Sequence, residues 1–297
     1  MRSFKGIGLL ILANILIFVT LSITVPILIN IILPLFGIDL RGSVTSYQLI
    51  WALVIGFGGA FASLAFSKQI ARWSMPNRVQ ITQPRSHAEQ VVYGTVQEIS
   101  QRVRITMPEV WVYEAPDPNA FATGPSKNNS MVAVSTGLLS NMKEEEVRAV
   151  LAHEMGHVYN GDMFTTTVLA GLMNTFVYFI SSWVARHIAE RNIWLYWSVY
   201  LFLTYVLSFL AQIPVMWFSR RREFAADAFA AKVYGRGAMI SALQRIDEWV
   251  KGTQFQYNSQ DALATMKISG KTTGLMRLFT THPPIEERVA ALQRTYS

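Results

Sequence analysis

Four long apolar runs decide most of what this chain can become. Ile7 to Phe36 is almost unbroken apolar sequence, and Tyr47 to Phe66 follows after a short polar turn. Met163 to Ala185 and Ile193 to Phe218 form a second pair in the other half of the chain. A helix needs about 20 apolar residues to cross the hydrocarbon of a bilayer. Lipid offers the backbone no partners, so a helix that satisfies its own N–H and C=O groups is the form such runs must take. The same runs explain a composition that is 51% hydrophobic and only 15% charged, where ordinary soluble chains carry about 25% charged residues. The expected fold class is therefore mainly α, an integral membrane protein with four transmembrane helices.

The first run is longer than the core of a cleaved signal peptide and continues through Pro26 and Pro34, so it reads as an uncleaved span or signal anchor. A helical hairpin within it is the alternative. Gly56, Gly58 and Gly59 in the second run suit close helix packing in lipid. Tyr178, Trp183, Trp194, Tyr196, Trp197 and Trp217 suit the two membrane interfaces. The net charge of +7 sits beside the apolar runs, in Lys68, Arg72 and Arg78 and again in Arg220, Arg221 and Arg222. That clustering fits anionic lipid head groups and excludes nucleic acid as the expected partner. It also puts the N-terminus, the region from Lys68 to Met142 and everything after Ser219 on one, cytosolic, side. The resulting organisation is 1–67 as two spans, 68–162 and 219–297 as two parts of a cytosolic domain, and 163–218 as a membrane hairpin between them.

Between the pairs of spans the chain turns polar. Ser86 to Val103 carries an apolar stripe with helical spacing. Glu109 to Glu114 alternates, with Val110 and Val112 on one face and Trp111 and Tyr113 on the other, which predicts a strand. Asn119 to Gly124 and Met131 to Ser135 are two further strands, separated by the turn residues Asn128, Asn129 and Ser130. The expectation is a small antiparallel sheet whose exposed edge pairs with an extended peptide. Asn119 would there bond substrate backbone or a developing oxyanion, or else do no more than cap the turn after Pro118.

The sheet leads into His153-Glu154-Met155-Gly156-His157. Val147, Val150, Leu151, Met155 and Val158 recur at helical spacing around it, and Asn141 with Glu144 reads as the capping pair. Two histidines four apart on a helix share one face and can hold one metal ion. This is the H-E-x-x-H arrangement, in which neutral imidazoles bind zinc and the intervening carboxylate is a general base for water. The chain has only 5 histidines and no cysteine, so the other ligands must be His, Asp or Glu. Glu223, after the fourth run, is the best third ligand, a carboxylate brought by a second helix with one coordination position left for water. Asp227, one turn on, is placed to accept a hydrogen bond from a ligand imidazole and fix its tautomer. Gly252 to Gly274 is weakly patterned and reads as a loop over the cleft. His282, held by Pro283 and Pro284 at a helix start, is a proton or oxyanion partner once a zinc site exists, and Arg288 an orienting cation.

These residues make the chain resemble the membrane-bound zinc metalloproteases of the HtpX type, relatives of the CAAX prenyl proteases. The resemblance runs through Pro118 to Ala122, His153 to His157, Asn160-Gly161-Asp162, Glu223 to Asp227 and His282-Pro283-Pro284. It implies a cytosolic gluzincin-like α+β zinc metalloprotease domain holding one zinc ion per chain. His153, His157 and Glu223 would be its ligands and Glu154 the catalytic base, supported by Asn119, Asp227, His282 and Arg288. It further implies a bacterial inner membrane location and quality control of misfolded or damaged membrane proteins, with no oligomeric state indicated. Three rival readings differ in what they require. A structural zinc scaffold needs four closing protein ligands, a transporter needs ionisable groups inside its spans, and a prenyl-motif protease carries more spans around a larger chamber.

Overall fold

The computed structural model describes residues 27–37, 44–188, 192–257 and 283–294. In chain order the helices are α1 (Val44–Ala65), α2 (Ser67–Ser74), α3 (His87–Val103), α4 (Thr136–Asn141) and α5 (Glu144–Asn160). They continue with α6 (Asp162–Ile188), α7 (Ile193–Tyr234), α8 (Arg236–Tyr257) and α9 (Ile285–Arg294). The strands are β1 (Val79–Gln80), β2 (Glu109–Tyr113), β3 (Ala120–Ser126) and β4 (Asn129–Ser135). Most of the first expected span lies outside the described residues, which retain its helical end at Leu28–Ile32 and Leu33–Leu35. His282 also lies outside them, as does the expected loop from residue 258 onward. The start of that loop is helical instead, because α8 runs on through Tyr257.

Two compact units share the chain, Met1–Ala65 with Thr165–Val215 in one and Phe66–Phe164 with Met216–Ser297 in the other. The first holds the membrane helices. Among the described residues three helices are long and apolar enough to cross a membrane, α1 from Tyr47, α6 and α7. Within this unit α1 meets α6 through small residues. A Cβ on Gly56 would lie 2.7 Å from the Thr175 backbone nitrogen, and one on Gly171 would meet the Phe57 ring. Gly56 thus permits the close approach expected of it, whereas Gly59 faces open space. Gln48 donates to the Ser182 carbonyl at 3.3 Å, keeping a buried amide satisfied. On α7, Leu201, Phe202, Tyr205 and Phe209 are exposed, a surface suited to lipid.

The second unit is built on a four-stranded sheet in the order β1-β2-β4-β3. The antiparallel sheet expected from the sequence is corrected here: β1–β2 and β3–β4 are antiparallel, but the central pair β2–β4 is parallel. The reason is topological. β3 and β4 form a hairpin, and the segment Pro116-Asp117-Pro118 carries the chain past β2 so that β4, not β3, docks against it. β3 is left as a sheet edge. The alternation read from β2 holds, because Val110 and Val112 join the main core while Trp111 and Tyr113 join a smaller cluster on the other face with Met131 and Ala133. The main core adds Val92, Val96 and Ile99 of α3, Leu151 and Met155 of α5, and Met239 and Leu243 of α8. Contacts from α3, α8 and β3 thereby enclose α5.

The capping of α5 differs from expectation. Lys143 is the N-cap residue, and the Glu146 carboxylate accepts from its backbone N–H at 2.9 Å. Asn141 instead donates its amide to the Gly137 carbonyl. Glu144, Glu145 and Glu146 still fill the first turn, where acidic groups complement the helix dipole. At the other end Gly161 adopts φ +69°, a left-handed conformation that favours glycine, and α6 begins at the next residue. Gly156 brings α5 against α7, since a Cβ there would stand 3.2 Å from the Ala226 Cα and 3.3 Å from Phe229. A larger side chain must push these helices apart. Gly156→Val is expected to cost about 1–3 kcal/mol by overpacking, read as a lower Tm in detergent, with Gly156→Ala much milder.

Candidate active site

α5 presents His153 and His157 one turn apart, with their rings edge to face and centroids 4.7 Å apart. α7 brings Glu223 to the same point. His157 Nε2 lies 3.3 Å from Glu223 Oε1, and His153 Nε2 lies 3.6 Å from Oε2. One ligand atom from each residue lies within 4.8 Å of the others. His153 and Glu223 are buried and His157 is half-buried. Among the described residues, no other His, Asp or Glu joins this group.

The outer nitrogens determine what the inner ones can do. His157 Nδ1 is 2.7 Å from Asp162 Oδ2, and His153 Nδ1 is 2.9 Å from Asp227 Oδ1. A carboxylate only accepts, so each Nδ1 carries the proton and each neutral ring directs an Nε2 lone pair inward. The two Nε2 atoms are 3.1 Å apart, beside a carboxylate oxygen. Electron-rich atoms so placed in a buried site repel unless a cation stands among them. Two imidazoles and one carboxylate are a donor set that zinc accepts, so the residues fit a metal ion. Without a metal the same carboxylates favour a proton on the rings. Burial opposes charge on both, yet hydrogen bonds to the carboxylates outweigh it: Asp227 and Glu223 raise His153, and Asp162 with Glu223 pushes His157 up to about 10. The cluster thus calls for positive charge, and a bound cation would displace those protons.

Each carboxylate behind a ring is itself held by an arginine. Arg288, buried on α9, donates Nε to Asp227 Oδ2 at 2.7 Å and Nη2 to Oδ1 at 2.6 Å. Its Nη1 also lies 3.3 Å from Glu223 Oε2. The backbone N–H groups of Glu287 and Arg288 bond the Pro284 carbonyl, which starts the helix that delivers this side chain. Arg222 pairs with Asp162. Neither Asp162 nor Arg222 stood out in the sequence as a site residue. Asp162 reads as an acidic helix start and Arg222 as one of a row of membrane-flanking cations. The available signal was the position of Asp162 just past the helix-ending Gly161, one turn beyond His157.

Glu154 is half-buried beside the two rings and accepts a backbone hydrogen bond from Ala122 of β3. Burial pushes its carboxyl above the usual range, with Glu223 adding to the rise and the rings and Ala122 opposing it. Asn119 is exposed. Its amide donates to the Tyr113 hydroxyl at 2.9 Å, and its backbone bonds Ser135. The structure therefore gathers His153, His157, Glu223, Asp227, Arg288 and Glu154, and turns the Asn119 amide to Tyr113.

Comparison with known proteins points the same way. Residues 86–296 match the family described as Peptidase family M48. The protein named Protease HtpX from Pasteurella multocida (strain Pm70) is 43% identical over 286 residues, covering 95% of this chain and 98% of its own. Its namesake from Alkalilimnicola ehrlichii is 44% identical over 300 residues, covering 97% of each. The crystal structure of S. mikatae Ste24p is similar in fold, with a TM-score of 0.60 at 18% identity over 95% of this chain and 66% of that one.

Asp227→Ala removes the partner of both His153 and the buried Arg288. The expected loss is on the order of 3 kcal/mol of stability, because a buried charge is left poorly compensated. Metal affinity should fall about 10–100-fold. Thermal unfolding and chelator competition for zinc read the two effects separately.

Proposed function

The chain belongs to peptidase family M48 and is a membrane metalloprotease, and from that premise we propose that it is a zinc-dependent endopeptidase acting on misfolded or damaged membrane proteins. The observation that carries this reading is the convergence of His153, His157 and Glu223 with the carboxylate of Glu154 beside them. His153, His157 and Glu223 would hold one zinc ion. When bound, zinc supplies a Lewis acid that makes a water acidic and stabilises charge developing on a carbonyl oxygen.

The chain's own groups do the rest. Asp162 and Asp227 keep the imidazole Nδ1 protons in place, so both rings present Nε2 inward. Glu154 takes a proton from the attacking water and returns it to the amide nitrogen as the C–N bond breaks. Ala122 lends its N–H to Glu154 from the edge strand, so the edge that would pair with an extended peptide also steadies the base. His282 and Asn119 are assigned to oxyanion or backbone contacts with substrate, and Arg288 to orientation of Glu223 and Asp227. For Asn119 this requires that its amide leave Tyr113.

The proposed location is a bacterial inner membrane, with four crossings and the catalytic unit on the cytoplasmic side. The relatives named Protease HtpX and the basic residues beside the spans support this placement. Under this reading 1–67 and 163–218 are the membrane segments, and 68–162 with 219–297 form the protease.

Glu154→Gln is expected to bind zinc like the wild type and to lose about 10²–10⁴-fold in cleavage rate. The assay pairs metal content with cleavage of an unfolded polypeptide by the purified full chain. Wild-type protein that holds zinc but cuts nothing would favour the scaffold reading, and a Glu154→Gln variant that cuts normally would remove Glu154 from the mechanism.

A further inference from the structure

We propose that Arg222 is a positioning residue for the metal site, acting on His157 through Asp162. This rests on the reading of His153, His157 and Glu223 as metal ligands. Arg222 stands in a run of three arginines that by sequence alone is a membrane-flanking patch. Both Arg221 and Arg222 lie over an aromatic ring, Arg222 5.9 Å from that of Phe218, but they differ in their other contacts. Arg221 is exposed and lies 5.0 Å above the Trp217 ring, an arrangement that suits an interfacial cation. Arg222 turns inward, pairs with the buried carboxylate of Asp162, and places Nη2 3.5 Å from the Asn160 carbonyl.

That geometry ties three pieces of chain together. Asn160 is the last residue of α5, the helix that carries His157, and Asp162 is the first residue of α6. Between them stands only Gly161, whose left-handed conformation turns the chain so that the Asp162 carboxylate reaches back to His157 Nδ1. Arg222 immediately precedes Glu223 on α7. One guanidinium therefore clasps the carboxylate that orients one ligand and sits next in sequence to another. A cation near the carbonyl end of α5 also complements its dipole.

The arrangement matches the other half of the site. His153 is backed by Asp227, and Asp227 by Arg288. His157 is backed by Asp162, and Asp162 by Arg222. In both halves a carboxylate that would otherwise swing between rotamers is pinned by a guanidinium, so the imidazole it orients keeps its Nε2 aimed at the metal. Orienting partners of this kind typically alter metal affinity 10–100-fold when removed.

The test is zinc affinity by chelator competition on the purified full chain. Arg222→Met should weaken zinc binding about tenfold, Arg222→Lys should lose less, and Arg221→Met should bind as the wild type does. Asp162→Asn should also weaken binding, and adding Arg222→Met to it should cause little further loss, because both act through one ring. Wild-type affinity in Arg222→Met, an equal loss in Arg221→Met, or full additivity with Asp162→Asn would overturn the proposal. Should Arg222→Met not fold, Arg222→Lys carries the same comparison: its loss must vanish on the Asp162→Asn background, and a loss that persists there overturns the assignment. A wild-type chain that binds no zinc would instead defeat the metalloprotease reading on which this rests.

Discussion

Three electron-rich atoms aimed at one buried spot repel one another, and the second unit is arranged so that they cannot turn away. His153 and His157 are locked by carboxylates at their outer nitrogens, and Glu223 is anchored within a helix that packs on theirs. The cluster therefore favours positive charge at its centre, and its donor set fits a metal ion.

Holding so much charge in a protein interior is costly, since buried ions lose hydration that mutual attraction only partly restores. The structure meets this cost in pairs. Arg288 satisfies Asp227 through two hydrogen bonds and Arg222 pairs with Asp162. Glu154 is treated differently. It accepts a backbone N–H from Ala122, and burial keeps its carboxyl above the ordinary range. Neighbouring carboxylates of one cluster thus differ in charge preference because their surroundings differ.

α5 ends at Gly161 and the first membrane helix of the hairpin starts at once, while the second runs without a break through Glu223 to Tyr234. The unit that holds the site is therefore assembled from chain on both sides of the hairpin. Glu223 and Asp227, four residues apart on one helix, share a face and keep a fixed relation to each other.

Much of this was legible before any coordinates. Apolar run lengths gave the three helices long enough to cross a membrane among the described residues, alternation gave the two faces of β2, and the i, i+4 spacing put both histidines on one side of α5. These are local properties, set by helix and strand periodicity and by the intolerance of lipid for unpaired backbone. The parallel pairing of β2 with β4, the inward turn of Arg222 and the clasp it makes with Asp162 were not legible. Which strand of a hairpin docks, and whether an arginine beside a span meets a buried carboxylate, depends on partners distant in sequence. Periodicity determined which residues share a face, and only packing decided what that face meets.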